Sequence, residues 1–241
     1  MPYDVPGMLA ALQDAAPETR LSAAYALEQA LKQELESGRT DWAPLVADLL
    51  PRLIASVGDE HKGVQVHSAN CLEFLAFQSD AVVPALREAM AGPDAWKAWG
   101  TALVAARMGY WFPEMAPALG NAMGARDRDV RWAAAGFSLQ LGRSHPEAVA
   151  NVKATLRSEN ANARKMAAYC LGAMGQYADV EEALAGALDD PERDVRRAVI
   201  LGLDKLPRIS APVQERIATM RQDPDEYVRR TAAAVAAKFG K

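Results

Sequence analysis

A chain of 241 residues, half of them apolar and a quarter charged, is too rich in apolar side chains to be disordered and can bury a sizeable core. The formal charge of −4 is uneven: residues 1–120 hold 8 Lys+Arg against 15 Asp+Glu and residues 121–241 hold 19 against 16, so the halves carry −7 and +3. That balance argues against a generic nucleic-acid binder, which shows a basic domain, and leaves room for an acidic partner at the C-terminal end.

Alanine, leucine, glutamate and arginine dominate while β-branched and aromatic residues are sparse, so an all-α fold with almost no sheet is expected. No run approaches the roughly twenty apolar residues of a membrane span. The start, MPYDVPGMLAALQDAAP, lacks the basic and apolar regions of a secretory signal. Cys71 and Cys170 match no metal spacing or disulfide framework. A cytoplasmic protein without a membrane partner or cofactor is the expectation.

In chain order, one register recurs at Arg20, Gln65, Ala98, Arg131, Arg164, Arg196 and Arg229, at steps of 45, 33, 33, 33, 32 and 33 residues. These positions define seven units in a single domain, approximately 1–38, 39–78, 79–109, 110–142, 143–175, 176–207 and 208–241. Ten residues after each reference lies an apolar column: Ala30, Leu75, Met108, Leu141, Met174, Leu206 and Phe239. Four residues after it the column reads Ala24, Ala69, Ala102, Ala135, Ala168, Ile200 and Ala233, small side chains suited to close helix approach. A preceding segment contributes Leu53, Leu86, Leu119, Val152, Leu184 and Ile217. Each unit is therefore predicted to be an antiparallel helix pair, A then B.

Breakers fit this register. Gly109, Gly142, Gly175 and Gly240 follow the predicted B helices and suit a left-handed helix end. Asp190-Pro191 and Asp223-Pro224 suit an N-cap followed by proline at the first helical position of B. Asp14/Arg20, Asp190/Arg196 and Asp223/Arg229 share a spacing of six, putting a carboxylate in the A–B turn and a guanidinium one turn into B. Stacked units would join these groups, with Arg131 and Arg164, into a structural ladder in which each guanidinium bonds a neighbouring carboxylate and turn carbonyls.

The pattern Asp-Pro-x-x-x-Val-Arg-x-x-Ala followed by Leu and a terminal Gly resembles the HEAT repeat, in its short bacterial form related to the phycobilisome-lyase repeats. Gln65 and Ala98 depart from it at the arginine position. The resemblance implies a right-handed α-solenoid, an armadillo-type superhelix of about seven hairpins whose B helices line the concave side. It implies no single activity.

With the columns three, four, six and ten after the reference in the core, the first and fifth face outward on B, towards the concave side that the resemblance implies. The first reads Leu21, Val66, Trp99, Trp132, Lys165, Arg197 and Arg230; the fifth includes Tyr25 and Tyr169. A partner groove follows, with Tyr25, Trp99, Trp132 and Tyr169 as anchors and Lys165, Arg197 and Arg230 engaging an acidic stretch of a protein or peptide. Tyr110, Trp111 and Phe112, before Pro113, are expected to plug the junction of the third and fourth units.

Catalytic chemistry is sparse. His67 and Cys71 sit four apart on one helix, but Cys71 shares a column with Cys170, Phe137 and Val104 and reads as a buried structural thiol, with His67 at the surface. There is no P-loop, dinucleotide fingerprint, Gly-x-Ser-x-Gly or His-Glu-x-x-His. The HEAT-repeat hydroxylase acting on deoxyhypusine resembles this architecture but needs paired His-Glu iron ligands, and the chain contains no His-Glu dipeptide. Bacterial HEAT-like alkylpurine DNA glycosylases are similar in length and place tryptophans in the groove; they want a basic groove and a carboxylate beside the aromatics, whereas Asp127 and Asp129 sit at the A–B turn. A bilin-lyase-like role rests on repeat similarity alone. The sequence thus points to a non-catalytic binding scaffold.

Overall fold

The computed structural model describes residues 4–38, 41–177 and 179–239. Gly240, one of the glycines expected to end a B helix, lies outside them. Among the described residues the fold is all-α, with fourteen α-helices and no strand.

Contacts group the chain into two compact units, Met1–Ala118 and Leu119–Lys241. The first contains α1 (Val5–Ala11), α2 (Pro17–Glu36), α3 (Ala43–Ser56), α4 (Lys62–Ala76), α5 (Val82–Met90) and α6 (Ala95–Arg107). Helix α7 (Met115–Met123) runs across the boundary. The second continues with α8 (Arg128–Gly142), α9 (Pro146–Thr155), α10 (Ala161–Ala173), α11 (Val180–Gly186), α12 (Arg193–Leu203), α13 (Ala211–Thr219), a short 3-10 turn over Met220–Gln222, and α14 (Glu226–Ala236). Odd-numbered helices are the A members and even-numbered ones the B members. In the first unit α2 packs on α4 and α4 on α6; in the second, α8, α10, α12 and α14 pack in succession. Each unit is a stack of helical hairpins, the α-solenoid architecture.

The apolar columns explain the stacking. Leu53, Leu86, Leu119, Val152, Leu184 and Ile217 are all fully buried, and each contributes about 1.5–3 kcal/mol relative to an exposed position. Three residues after each reference, Ala23, Ser68, Thr101, Ala134, Ala167, Val199 and Ala232 are buried without exception. Buried thiols behave as small apolar groups: Cys170 is pushed up to about 12 by burial, and burial, followed by the nearby Glu28 charge, raises Cys71 as well. Neither supplies a thiolate near neutral pH.

Helix starts are fixed by side-chain caps. Asp94, Asp127, Asn160 and Asp225 accept first-turn N–H groups of α6, α8, α10 and α14, each bond contributing about 1 kcal/mol. The expected Asp190-Pro191 and Asp223-Pro224 caps are corrected here: α12 begins at Arg193 after Glu192 and α14 at Glu226 after Asp225. The prolines stay in the turn because their carbonyls accept bonds from Arg196 and Arg229. The glycines also divide. Gly109 has φ of 81°, a left-handed helix end as expected. Gly142 instead lies inside α8, and neither it nor Gly175 has positive φ. A Cβ at Gly142 would lie 2.8 Å from Met174 Cε and one at Gly175 would lie 2.8 Å from Leu206 Cδ2, so these positions are small to admit the following hairpin.

Candidate functional site

The arginine register forms two-sided clamps between consecutive hairpins. Arg164 Nε and Nη2 donate to the Asp190 carboxylate at 2.7 and 2.9 Å, while Nη1 donates to the Ser158 and Glu159 carbonyls. Arg196 repeats this on Asp223 at 2.8 and 2.9 Å and on the Asp190 and Pro191 carbonyls. In the first unit Arg20 does the same on Asp59 at 2.6 and 3.1 Å and on the Asp14 and Ala15 carbonyls. Asp59 stands six residues before Gln65, the same offset as Asp14, Asp190 and Asp223; the sequence carried this signal, but the missing arginine at Gln65 hid it. The carboxylate of Asp14 caps its own turn at the Ala16 N–H, and Arg229 donates to the Asp223 and Pro224 carbonyls.

Burial would raise the pKa values of Asp59, Asp190 and Asp223, but hydrogen bonds from Arg20, Arg164 and Arg196 and from the turn N–H groups outweigh it, and all three are lowered. These carboxylates stay ionised at neutral pH, and the clamps are structural.

The expected anchors do not share one environment. Trp99 is 6% exposed, whereas Trp132 is 51% exposed. Trp99 is therefore corrected from a groove position to core. Its helix, α6, is lined with small residues, so α3, α4 and α5 approach it from several sides. A Cβ on the adjacent Gly100 would stand 2.1 Å from the Val57 carbonyl oxygen. Trp96, not singled out in the sequence, is the half-exposed tryptophan of α6. Tyr110 is also exposed and stacks on Phe112 with centroids 5.7 Å apart, and the Arg87 guanidinium lies 4.9 Å from the centroid of Phe112. The expectation of a buried aromatic plug therefore fails at Tyr110.

In the second unit, Trp132 of α8 stacks on Tyr169 of α10, with centroids 6.2 Å apart and planes 18° apart. Around this pair Arg128, Arg131, Lys165, Met166, Asp194 and Arg197 line a cleft of about 260 Å³. Four cations face one carboxylate. Lys165 Nζ lies 3.8 Å from Asp194, Arg197 Nε donates to Thr231 at 3.3 Å, and Arg230, exposed farther along on α14, pairs with Glu226. A larger cleft of about 700 Å³ opens among α9 and α11 residues, but no aromatic residue lines it, and Lys153 and Arg157 are offset by Asp179, Glu182, Asp189 and Asp190. The smaller cleft combines two aromatic rings with an excess of cations.

The first unit holds a polar cluster that sequence reasoning missed. Glu28 of α2 is buried and lies 2.7 Å from Lys32 Nζ and 2.7 Å from His67 Nδ1, and it accepts from Asn70 Nδ2 at 3.0 Å. Tyr25, half-exposed, meets the His67 ring edge-on at 5.3 Å. Arg107 of α6 bonds Asn70 at 2.9 Å and pairs with Glu73. Burial would raise Glu28, but its three side-chain partners outweigh that and lower it to about 2. A depressed carboxylate contributes stability above its unfolded value, roughly 4.3, and that contribution is lost as pH falls through the folded value of about 2. Glu28→Gln is expected to destabilise the first unit by about 1–2 kcal/mol at pH 7 and to remove part of its acid sensitivity between those limits; urea titrations at several pH values check this.

Comparison with known proteins finds a family resemblance over part of the chain. The family model described as HEAT repeats matches residues 116–204, the span holding Arg131, Arg164 and Arg196. That span of the chain matches HEAT repeats. The HEAT-repeat segment thus coincides with the Trp132–Tyr169 cleft. A deoxyhypusine hydroxylase of Aspergillus fumigatus is 42% identical over 62 residues, which are 25% of this chain and 18% of that enzyme. The match therefore spans under a fifth of the enzyme's length. The residues present do not fit an iron centre: His61, His67 and His145 are followed by Lys, Ser and Pro, and among the described residues no group of three or more His, Cys, Asp or Glu could hold a metal ion. The X-ray structure of YibA from Escherichia coli covers 82% of this chain and 74% of its own, at 17% identity and a TM-score of 0.52, a likeness of fold. No described helix is long and apolar enough to cross a membrane.

Proposed function

We propose that this HEAT-repeat chain is a non-catalytic scaffold that binds a protein or peptide along the outer face of its B helices, with α8, α10 and α12 as the principal contact. The observation that carries this is the exposed stack of Trp132 on Tyr169 beside Lys165 and Arg197. Tryptophan, tyrosine and arginine dominate binding hot spots, the two aromatics because each offers large contact area with few rotors to freeze and arginine because its planar guanidinium stacks and bonds in a fixed fork. Arg230 extends the basic edge along α14, and Tyr25 in the first unit is a separate exposed aromatic.

Trp132→Ala is expected to leave the fold intact and weaken partner capture by about 2 kcal/mol or more, roughly thirtyfold in Kd. Glu147→Ala, on α9 of the A layer, is the matched surface substitution and leaves capture unchanged. Copurification from the native host with wild type and both variants tests the proposal. A protein lost with Trp132→Ala and kept with Glu147→Ala supports it; loss of no protein with Trp132→Ala, or salt-sensitive DNA binding that accounts for all capture, overturns it.

A further inference from the structure

The clamp series has a vacant rung beside the aromatic cleft. At the turn six residues before the reference, Asp59, Asp190 and Asp223 each present a carboxylate to the arginine of the preceding hairpin, and each also accepts an N–H of its own turn. The position facing Arg131 is Ser158. Ser158 keeps the local half of the arrangement, accepting the Asn160 N–H at 3.2 Å, but has no second acceptor oxygen for a guanidinium. Arg131 keeps its half too: Nη1 donates to the Ala125 and Arg126 carbonyls at 2.7 and 2.8 Å, so the side chain is held in the same pose as Arg164 and Arg196. Among the described residues no carboxylate bonds its Nε and Nη2. A fixed guanidinium fork that cannot lose its charge is thus presented in a cleft that also holds Arg128, Lys165 and Arg197.

We infer that this rung is completed by a partner: the cleft binds an acidic peptide segment, one aspartate or glutamate carboxylate seating on Arg131 and an adjacent apolar side chain lying against Trp132. The inference rests on the proposed use of this face for protein binding and names the chemistry recognised there. A carboxylate matches the fork in two parallel N–H···O bonds, as Asp190 matches Arg164. Asp194 among the lining residues interrupts the basic character of the cleft, which suits a short acidic stretch and not a nucleic-acid backbone.

The decisive variant supplies the carboxylate from within. Ser158→Asp places at this turn the residue that occupies it at Asp59, Asp190 and Asp223, so the rung closes intramolecularly. The melting temperature is expected to rise by about 2–4 °C, while calorimetric affinity for a short peptide of alternating glutamate and leucine falls about tenfold or more. Ser158→Asn, neutral and of the same size, keeps wild-type affinity, and the glutamine-leucine peptide binds wild type about tenfold more weakly. Unchanged affinity in Ser158→Asp, no binding of the glutamate peptide to wild type, or tighter binding of a single-stranded oligonucleotide overturns the inference. If Trp132→Ala abolishes partner capture while Ser158→Asp does not, the face binds but the carboxylate seat is wrong; if neither changes capture, the proposed function fails as well.

Discussion

Asp190→Ala is expected to destabilise the second unit by about 3–5 kcal/mol, the range for removing one member of a buried ion pair. Asp190 is only 6% exposed at its side chain and Arg164 only 12%. Truncation leaves the guanidinium buried with no acceptor for Nε and Nη2, and an arginine cannot discharge itself by losing a proton. It also leaves the Glu192 N–H without its acceptor and loosens the turn whose carbonyls hold Arg196. The neighbouring Asp189 provides the contrast within the same dipeptide: it is 86% exposed and pairs with a half-exposed Arg216. Asp189→Ala is expected to change stability by no more than about 0.5 kcal/mol. In a cycle with Arg164→Ala, the double variant should be less destabilised than the sum of the single ones, because the second change removes the stranded charge left by the first. Equal effects of Asp189→Ala and Asp190→Ala in urea titrations would refute the clamp as a buried pair.

The same clamps set an acid limb. The lowered folded-state values of Asp59, Asp190 and Asp223 mean that their contribution is fully present above the unfolded aspartate value, roughly 3.9, and is lost as pH falls through the lower folded values. Asp190→Ala should flatten that limb while lowering stability at pH 7.

What was legible in the sequence is what repeats. The A column from Leu53 to Ile217 is uniformly buried because each hairpin must cover its neighbour, and a period of 32 or 33 residues carries that requirement. The pairing of Arg with Asp was visible as a spacing of six; its direction was not, because the carboxylate that Arg164 holds belongs to the next hairpin. Helix caps and ends were misplaced where a residue serves two partners, as Asp190 serves Arg164 and the Glu192 N–H. Trp99 shows the limit of register. Its column faces outward at Trp132, Arg197 and Arg230, yet Gly100 brings α6 against the Val57 carbonyl and Trp99 is covered. Glu28, His67 and Asn70 escaped because they meet across the one irregular step of 45 residues, where no column pointed from one to another.

Gly172→Ala is expected to destabilise the second unit even though intrinsic helix preference favours alanine by about 1 kcal/mol. A Cβ on Gly172 of α10 would lie 2.6 Å from Gly202 Cα and 2.8 Å from Gly202 O on α12, and a Cβ on Gly202 would lie 2.7 Å from the Ala168 carbonyl. The obstacle is backbone on both sides, so no side chain can rotate away and the helices themselves must separate. That separation undoes close packing along the α10–α12 seam, where Leu171, Val199 and Leu203 are fully buried. Overpacking of this kind costs about 1–3 kcal/mol beyond the propensity gain, and Gly172→Leu should cost about 3 kcal/mol or more. Gly136 of α8 isolates the propensity effect, since a Cβ there meets nothing within 4 Å. Gly136→Ala is therefore expected to stabilise by about 0.5–1 kcal/mol. Urea midpoints at unchanged m-value decide the matter: shifts of the same sign at the two glycines would mean that α10 and α12 are not held in backbone contact. Because Lys165 and Arg197 ride on these two helices, Gly172→Leu should also weaken peptide binding at the Trp132 cleft, whereas Gly172→Ala, if the helices part only slightly, should affect stability more than affinity.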